Sequence, residues 1–438
     1  VNRGLAIHGT TLFMATIDGR LIALDSRNGG VIWNIAVGGA RAEAGYSLTV
    51  APLVANGVVM TGCSGAEFGA RCFIDGWDPN TGKKLWRRYT IPAPGAPGSE
   101  TWPQGTEAWK VGGGPTWRSG SYDPQLDLVY WGTGNAEPWP EALRTKDTSS
   151  GSDNLYVASI VAVNVNNGQL KWHYQMVPGD EWDYDSVQQM ILAELNINGK
   201  TRKVIMQAPK NGFFYVIDRA TGKLLSAEKV GNADWAERID LKTGRPNFVP
   251  ENRPGNPTSS ADGKKGNVVF SAPSFLGGKN QMPMAYSPDT KLFYVPANHV
   301  CMDYEPFRVS YTPGQPYVGA TLSMYPAPNS HGGMGNFIAW DNLAGKIRRS
   351  RASLRSGPRP CRSERSGCHL GHHPATAASH HAVKLHARWP IGRGLGILGA
   401  PERRLVSSRC PPPAHLLRTL GTACLHGRVR GHPRRPLT

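Results

Sequence analysis

A short unit of apolar and polar positions recurs along the first 346 residues of the chain. Each copy is an apolar run that ends in Asp or Asn, followed four residues later by Gly and often by Trp four residues after that. The five copies are anchored at Asp25, Asp78, Asn164, Asp218 and Asp341. This pattern predicts a strand, a tight turn in which the glycine adopts positive φ, and a returning strand whose aromatic residue packs between sheets.

The spacing of these units predicts a radial all-β fold. Gly29 and Gly82 are 53 residues apart, and Gly168 and Gly222 are 54 apart, which is the length of one four-stranded propeller blade with its loops. The intervals from Gly82 to Gly168 and from Gly222 to Gly345 are longer, so they contain insertions or a blade without the signature.

Other apolar runs fill the gaps between the units, and helical periodicity is scarce. The runs that read as strands are 58–60, 128–131, 204–206 and 293–295. Such sheets need closure to hide their edges.

The positive charge of the chain is concentrated at one end. The formal net charge of the 438 residues is +17, but residues 1–346 hold 31 Lys and Arg against 30 Asp and Glu. Residues 347–438 hold 18 basic residues against Glu364 and Glu402. Residues 1–346 therefore carry no excess of positive charge that would favour nucleic-acid binding. No apolar run is long enough to span a bilayer.

The segment 347–438 has an unusual composition. It contains no Asp, Asn, Gln, Tyr, Phe or Met, and it holds nine of the 13 His and four of the seven Cys. One interpretation is a basic disordered arm that binds nucleic acid. We favour the other, a GC-rich gene translated out of frame, because the fifth unit stops in mid-strand: a Trp is expected near position 349, and Arg349 stands there.

An acidic cluster wrapped around aromatic residues is the first sign of chemistry. In the segment 179–186, Gly-Asp-Glu-Trp-Asp-Tyr-Asp-Ser, an extended backbone would point Asp183 and Asp185 to the same side. Two carboxylates that close repel each other unless a proton or a hard cation lies between them. A solvated acidic loop is the alternative that this segment alone leaves open.

The Trp-containing repeats together with the Trp-Asp-Tyr-Asp motif resemble the quinoprotein alcohol dehydrogenases, which bind pyrroloquinoline quinone (PQQ). The resemblance runs from Val1 to about Lys346. It implies an all-β, eight-bladed β-propeller of the quinoprotein type, incomplete in this chain, with domains at 1–346 (partial propeller) and 347–438 (anomalous basic tail). It also implies that the family's vicinal disulfide lies before Val1, so that the chain is a fragment.

The resemblance assigns roles to residues of this chain. Asp183 matches the catalytic aspartate. Glu67 and Asn135 match residues that bind the metal together with Asp183. The positions that match cofactor contacts are Arg3, Thr49, Ser64, Gly65, Ala66, Trp117, Lys210 and Asn280.

Asp185 bears on the identity of the metal. Lanthanide-dependent members of the family resemble this chain in having a second aspartate two positions after the catalytic one, whereas calcium members have a small or neutral residue there. A trivalent ion attracts one more anion, and its charge raises Lewis acidity. We therefore expect a lanthanide ion, with Ca²⁺ as the alternative.

The cysteines and one proline depart from the family pattern. Pro115 stands where the methanol enzymes have a threonine. The family's partner for Cys301 falls near Ser271 or Ala272, so Cys301 is expected to be unpaired. Cys63 and Cys72 flank the Glu67 loop, and both a disulfide and two buried thiols remain open.

The resemblance implies oxidation of a primary alcohol such as methanol to the aldehyde, with electrons passed to a cytochrome c in the periplasm. It also allows a homodimer. The alternatives are a non-catalytic propeller that binds another protein, and an inactive fragment of the dehydrogenase.

Overall fold

The computed structural model describes residues 2–38, 45–144, 152–254, 268–328, 330 and 332–352. They belong to one compact unit, Val1–Cys361. Most of the tail 347–438 lies outside the described residues, so the domain boundary at 346 stays a prediction.

Four-stranded antiparallel sheets follow one another along the chain, and five are present in the described part. The first is formed by β1 (Ala6–His8), β2 (Thr11–Ala15), β3 (Arg20–Asp25) and β4 (Val31–Ala36). The second is formed by β5 (Leu53–Ala55), β6 (Val58–Thr61), β7 (Phe73–Trp77) and β8 (Lys84–Tyr89). The third is formed by β9 (Ser121–Asp123), β10 (Leu128–Gly132), β11 (Ser159–Asn164) and β12 (Leu170–Gln175).

The fourth sheet is formed by β13 (Ile191–Ile197), β14 (Lys200–Gln207), β15 (Phe213–Asp218) and β16 (Leu224–Lys229). The fifth is formed by β20 (Ala285–Ser287), β21 (Leu292–Asn298), β24 (Gly335–Asp341) and β25 (Lys346–Ala352). All four runs that the sequence predicted as strands lie in these sheets, in β6, β10, β14 and β21.

Insertions account for both long intervals between the repeated units, and neither holds a further four-stranded sheet in the described residues. The first contains a 3₁₀ turn (Ser99–Thr101) and α1 (Ala108–Val111), ahead of β9. The second contains the hairpin β17 (Ala236–Ile239) and β18 (Pro246–Phe248), a 3₁₀ turn (Pro250–Asn252), and a three-stranded sheet of β19 (Val269–Ser271), β22 (Val300–Pro306) and β23 (Ala320–Pro326). The remaining helical elements are a 3₁₀ turn (Ala66–Phe68) and α2 (Glu141–Arg144).

The repeated unit forms the hairpin between the last two strands of each sheet. The turn glycine has positive φ in all five copies, between 60° and 76°, as the sequence predicted. The same five hairpins carry a register shift just before the turn, at Ala23/Leu24, Gly76/Trp77, Ala162/Val163, Val216/Ile217 and Ala339/Trp340. The five hairpins share one shape because each combines a bulge, which increases local twist, with a turn glycine at positive φ.

Tryptophans of the unit join the first four sheets to one another in chain order, whereas the fourth sheet has Ser226 at the corresponding position. The indole nitrogens donate across the sheet boundary to Pro79, Val165 and Arg219, from Trp33, Trp86 and Trp172 respectively, at 3.0 to 3.2 Å. Each ring also lies against the turn glycine of the following sheet, where a Cβ at Gly82, Gly168 or Gly222 would collide with it. The sheets therefore pack face to face in chain order, which confirms the predicted radial all-β architecture.

The fifth sheet lacks this link on its last strand. β25 continues to Ala352 and pairs with β24, and Arg349 lies opposite Ala339. Residues 346–351 are exposed. The strand is formed although the expected tryptophan is missing.

We expect Trp86→Ala to destabilise the protein by about 3–5 kcal/mol, because the indole is buried and its removal leaves a cavity between two sheets. Urea unfolding followed by circular dichroism measures the loss. Substitution of Leu85, whose side chain is exposed, is the matched control and should change stability by less than about 0.5 kcal/mol. An equal effect at both positions would contradict the docking role.

Candidate active site

The acidic segment is a buried loop, so the alternative of a solvated loop is wrong. Asp180, Asp183 and Asp185 are each at most 6% exposed, and Trp182 and Tyr184 are fully buried. Trp182 and Tyr184 stack with ring centres 5.5 Å apart, which seats the loop in the core. The two aromatics of the motif therefore fix the backbone from which the carboxylates project.

Asp180 holds the loop in shape from within. Its two carboxylate oxygens accept hydrogen bonds from the backbone nitrogens of Trp182 and Tyr184, at 3.1 and 3.0 Å. Burial raises the pKa of Asp180 to about 7. Sequence reasoning did not single out Asp180, although an Asp two residues before the turn it caps is a recognisable signal.

Asp183 has a strained backbone, with φ of 63°. Positive φ is uncommon for a residue other than glycine and is typical of functional sites, where surrounding structure enforces it. Burial raises the pKa of Asp183 well above its ordinary value; Lys210 opposes that change and Asp185 adds to it.

Lys210 joins the two carboxylates. Its Nζ lies 2.7 Å from Oδ2 of Asp183 and 3.1 Å from Oδ2 of Asp185, and all three side chains are buried. Burial acts to lower the pKa of Lys210, but the two acids outweigh it and raise the pKa, so the amine stays charged. The ammonium group occupies the position between the acids that the sequence suggested for a cation.

Asp185 is the centre of a wider network. Its Oδ1 accepts the backbone N–H of Asn135 at 2.8 Å, and its Oδ2 accepts the indole N–H of Trp117 at 2.9 Å. A Cβ at position 134 would approach the Asp185 carboxylate to 2.3 Å, so only glycine fits there. Asp185, Asn135 and Trp117 thus come from three separate segments and are joined by hydrogen bonds.

Asn135 presents an unused acceptor. Its Nδ2 donates to Oε1 of Glu137 at 2.8 Å, while its buried Oδ1 has no hydrogen-bond partner. A buried oxygen without a partner is costly unless a ligand binds it. This oxygen belongs to the residue whose backbone N–H binds Asp185, and as an amide oxygen it fits a hard metal ion.

Glu67 approaches the same acids from the second sheet. The side chain is exposed, yet crowding by protein atoms raises the pKa of its carboxyl, and the nearby charge of Asp185 adds to this. Across the described ranges, no three His, Cys, Asp or Glu side chains stand close enough to hold a metal by themselves. Lys210 lies between two of the acids. The four-ligand set of Glu67, Asn135, Asp183 and Asp185 stays a prediction.

The remaining predicted contacts fall into two groups. Thr49 and Ser64 bond to each other through their hydroxyls at 2.7 Å, next to Gly65 and Ala66. Gly65 has φ of 109°, and a Cβ on it would reach 2.0 Å from the Gly45 carbonyl, so the loop needs glycine. Asn280, by contrast, uses its side chain locally, with Leu276 and Gln281, and makes no hydrogen bond to the acidic network.

Arg3 and Trp117 contact each other directly. The guanidinium carbon lies 4.6 Å from the centre of the Trp117 ring, a cation–π arrangement. Arg3 also donates to the Thr49 carbonyl at 3.1 Å. The Trp117 ring, which is predicted to contact the cofactor, therefore binds Asp185 through its edge and the Arg3 guanidinium through its face.

A disulfide braces the Glu67 loop. Cys63 and Cys72 are bonded, which settles the alternative that the sequence left open. Their backbones also bond to Thr116 and Gly113, on the segment that leads to Trp117. Cys301 is buried and free, as expected.

No helix in the described part of the chain has the length and apolar character needed to cross a bilayer.

Comparisons with known proteins agree with this geometry. The family model for the PQQ glucose/ethanol/alcohol dehydrogenase β-propeller domain matches residues 2–229. A lanthanide-dependent methanol dehydrogenase of Methylorubrum extorquens is 44% identical over 80% of this chain, and a quinohemoprotein alcohol dehydrogenase of Pseudomonas putida is 47% identical over 68%. The solved structure of a europium-containing methanol dehydrogenase superposes with a TM-score of 0.74 at 39% identity, over 80% of this chain and 62% of that one.

The chain spans 59% of the length of the first relative and 43% of the second.

Proposed function

Because the chain belongs to the family of PQQ-dependent alcohol dehydrogenases, we propose that the protein oxidises a primary alcohol, methanol or a short-chain alcohol, to the aldehyde. The observation that carries this proposal is the meeting of Asp183, Asp185 and the unpartnered Asn135 oxygen at one buried place. A propeller that only binds another protein has no need of two buried acids beside an unused acceptor.

The residues present fit the quinone and its metal. Glu67, Asn135, Asp183 and Asp185 would hold the metal, and Trp117 offers an aromatic ring for stacking, joined to Asp185 by its indole N–H. When bound, the quinone would supply a hydride acceptor for the alcohol carbon, and the metal would supply Lewis acidity.

Asp183 is the base in this proposal. Its carboxylate accepts the proton of the alcohol hydroxyl, and burial favours proton uptake by raising the pKa of this group. Lys210 balances the charge of the acid before the proton arrives. The buried aromatic pair Trp182 and Tyr184 keeps the loop fixed and excludes water behind it.

A lanthanide ion is proposed in preference to Ca²⁺. Asp185 supplies the additional negative charge that a trivalent ion needs, and the relatives at 44% and 41% identity are named as lanthanide-dependent methanol dehydrogenases. A cytochrome c as electron acceptor, a periplasmic location and a homodimer follow from the family resemblance and belong to the same proposal.

Reconstitution tests this function. We expect the purified protein to retain about one PQQ per chain through gel filtration when La³⁺ is present, detected by quinone absorbance, and to lose it with EDTA. Asn135→Leu should lower retention, because it removes the unused oxygen, whereas Asn166→Leu on an exposed turn should not. Absence of retention in the unaltered protein would favour the non-catalytic propeller or the inactive fragment.

A further inference from the structure

Three cationic side chains lie close to one another near Trp117. Arg3 lies over its ring, and Arg118 is the next residue along the chain. Gln281 joins the two: its side-chain oxygen accepts from Nε of Arg3 at 3.2 Å, and its backbone oxygen accepts from Nη1 of Arg118. Lys279 precedes Gln281 by two residues. We refer to Arg3, Arg118 and Lys279 as the basic cluster.

The basic cluster has no acid to balance it in the described ranges. Salt bridges there involve other cations, and the partners of these three side chains are neutral oxygens. Lys279 is the extreme case, since it is fully buried and its Nζ donates only to the carbonyl of its neighbour Asn280, at 3.2 Å. A buried charge without a counter-ion is strongly unfavourable, and proteins retain one where an anion binds.

Electrostatics agrees with this geometry. Burial lowers the pKa of Lys279 to about 7, and repulsion by Arg118 contributes. Burial followed by repulsion from Arg118 also lowers the pKa of Arg3. The three groups therefore act on each other as neighbouring like charges.

Two members of the basic cluster line a cavity, and the third lies on a loop that packs on Lys210. Arg3 and Arg118 line a cavity of about 410 Å³ that is also lined by Ser119 and Gln189. The loop of Lys279 packs on Lys210: the Gly278 nitrogen donates to the Lys210 carbonyl at 2.8 Å, and a Cβ at Gly277 would collide with Lys210. Trp117 separates the two charged regions, with Asp185 at its edge and Arg3 on its face.

We propose that Arg118 and Lys279, together with Arg3, form an anion subsite that binds the carboxylate groups of a planar aromatic polycarboxylate stacked at Trp117. This inference rests on the proposed function, in which that ligand is the quinone cofactor, and it adds Arg118 and Lys279 to the residues that hold it. A carboxylate on an acidic substrate has the same chemistry, and the test separates the two sources.

The experiment measures binding of two probes, PQQ and its uncharged trimethyl ester, by quenching of tryptophan fluorescence. It is done as an equilibrium titration with EDTA, so that no metal contributes to affinity and binding too weak to survive gel filtration is still measured. We expect Arg118→Gln and Lys279→Met each to weaken PQQ binding by about 10- to 100-fold, as the loss of one charge-assisted hydrogen bond implies. Neither substitution should change the affinity for the ester, and Lys242→Met on an exposed turn should change neither.

Unfolding by urea distinguishes lost binding from lost structure. Because Lys279 is a buried unpaired cation, Lys279→Met should leave the ligand-free protein as stable or more stable at pH 7. If Lys279→Met instead lowered stability and weakened the ester equally, Lys279 would be a structural residue and the proposal would be overturned.

The remaining outcomes also decide the question. Equal PQQ affinity in the unaltered protein and both variants overturns the anion subsite while leaving the proposed function intact. If the unaltered protein binds benzene-1,3,5-tricarboxylate through Arg118 and Lys279 but does not bind PQQ, the subsite is supported for an acidic substrate and the proposed cofactor is rejected.

Discussion

Asp183→Ala is expected to lower kcat by about 10²–10⁴-fold with any metal, because the reaction loses the group that takes the hydroxyl proton. The measurement is turnover of methanol or ethanol by the protein loaded with PQQ, with La³⁺ and with Ca²⁺ in parallel. Lys210 keeps Asp185 as a partner at 3.1 Å, so the loop should remain folded.

Two controls belong with this substitution. Asp240→Ala, on an exposed turn between β17 and β18, removes an acid elsewhere and should leave kcat unchanged. Circular dichroism should show unaltered sheet content in Asp183→Ala. Turnover that survives the substitution would show that another group acts as the base.

Asp185→Ala is expected to abolish lanthanide-supported turnover while leaving the fold intact. Affinity for a trivalent ion should fall by at least about 10- to 100-fold, the range seen even when an outer partner of a metal ligand is removed. Sensitised Tb³⁺ luminescence, excited through the nearby tryptophans and displaced by La³⁺, measures that affinity directly.

Asp185→Asn is the matched control for charge. The Asn135 backbone and the Trp117 indole donate to different oxygens of Asp185, so the single amide oxygen of asparagine can keep one of these two hydrogen bonds while the shape of the side chain is kept and one negative charge is lost. We expect it to lose affinity for Tb³⁺ as well. Undiminished activity with La³⁺ after Asp185→Ala would refute the assignment of the metal.

The fold was predictable because its determinants are local. A turn glycine with positive φ and a tryptophan four residues later are visible as sequence spacing, and each creates one hairpin and one contact to the next sheet. The insertions were predictable only as extra length. Nothing in the spacing indicates that the hairpin of β22 and β23 interrupts the fifth sheet between β21 and β24.

The site was predictable in its members but less so in its contacts. Asp183, Asp185, Asn135 and Trp117 were identified by their motifs, and hydrogen bonds join them to one network. The position of Lys210 between the acids was not foreseen, because this pairing depends on a contact between segments that are distant in the sequence.

Glu137 and Asp180 were missed for a related reason. Glu137 orients the Asn135 amide, and Asp180 shapes the loop, so both act through a neighbour. Such roles carry no motif of their own. Arg118 and Lys279 stand out only in the structure. Neither has an acidic partner among the described residues, and Lys279 is buried.

The bridging ammonium of Lys210 bears on the order of folding and metal binding. With it in place, both Asp183 and Asp185 already have a cationic partner. The polypeptide can therefore complete its folding before any ion is available. A metal ion at the proposed site would have to displace Lys210 from the acids, and its removal would let the acids pair with Lys210 again.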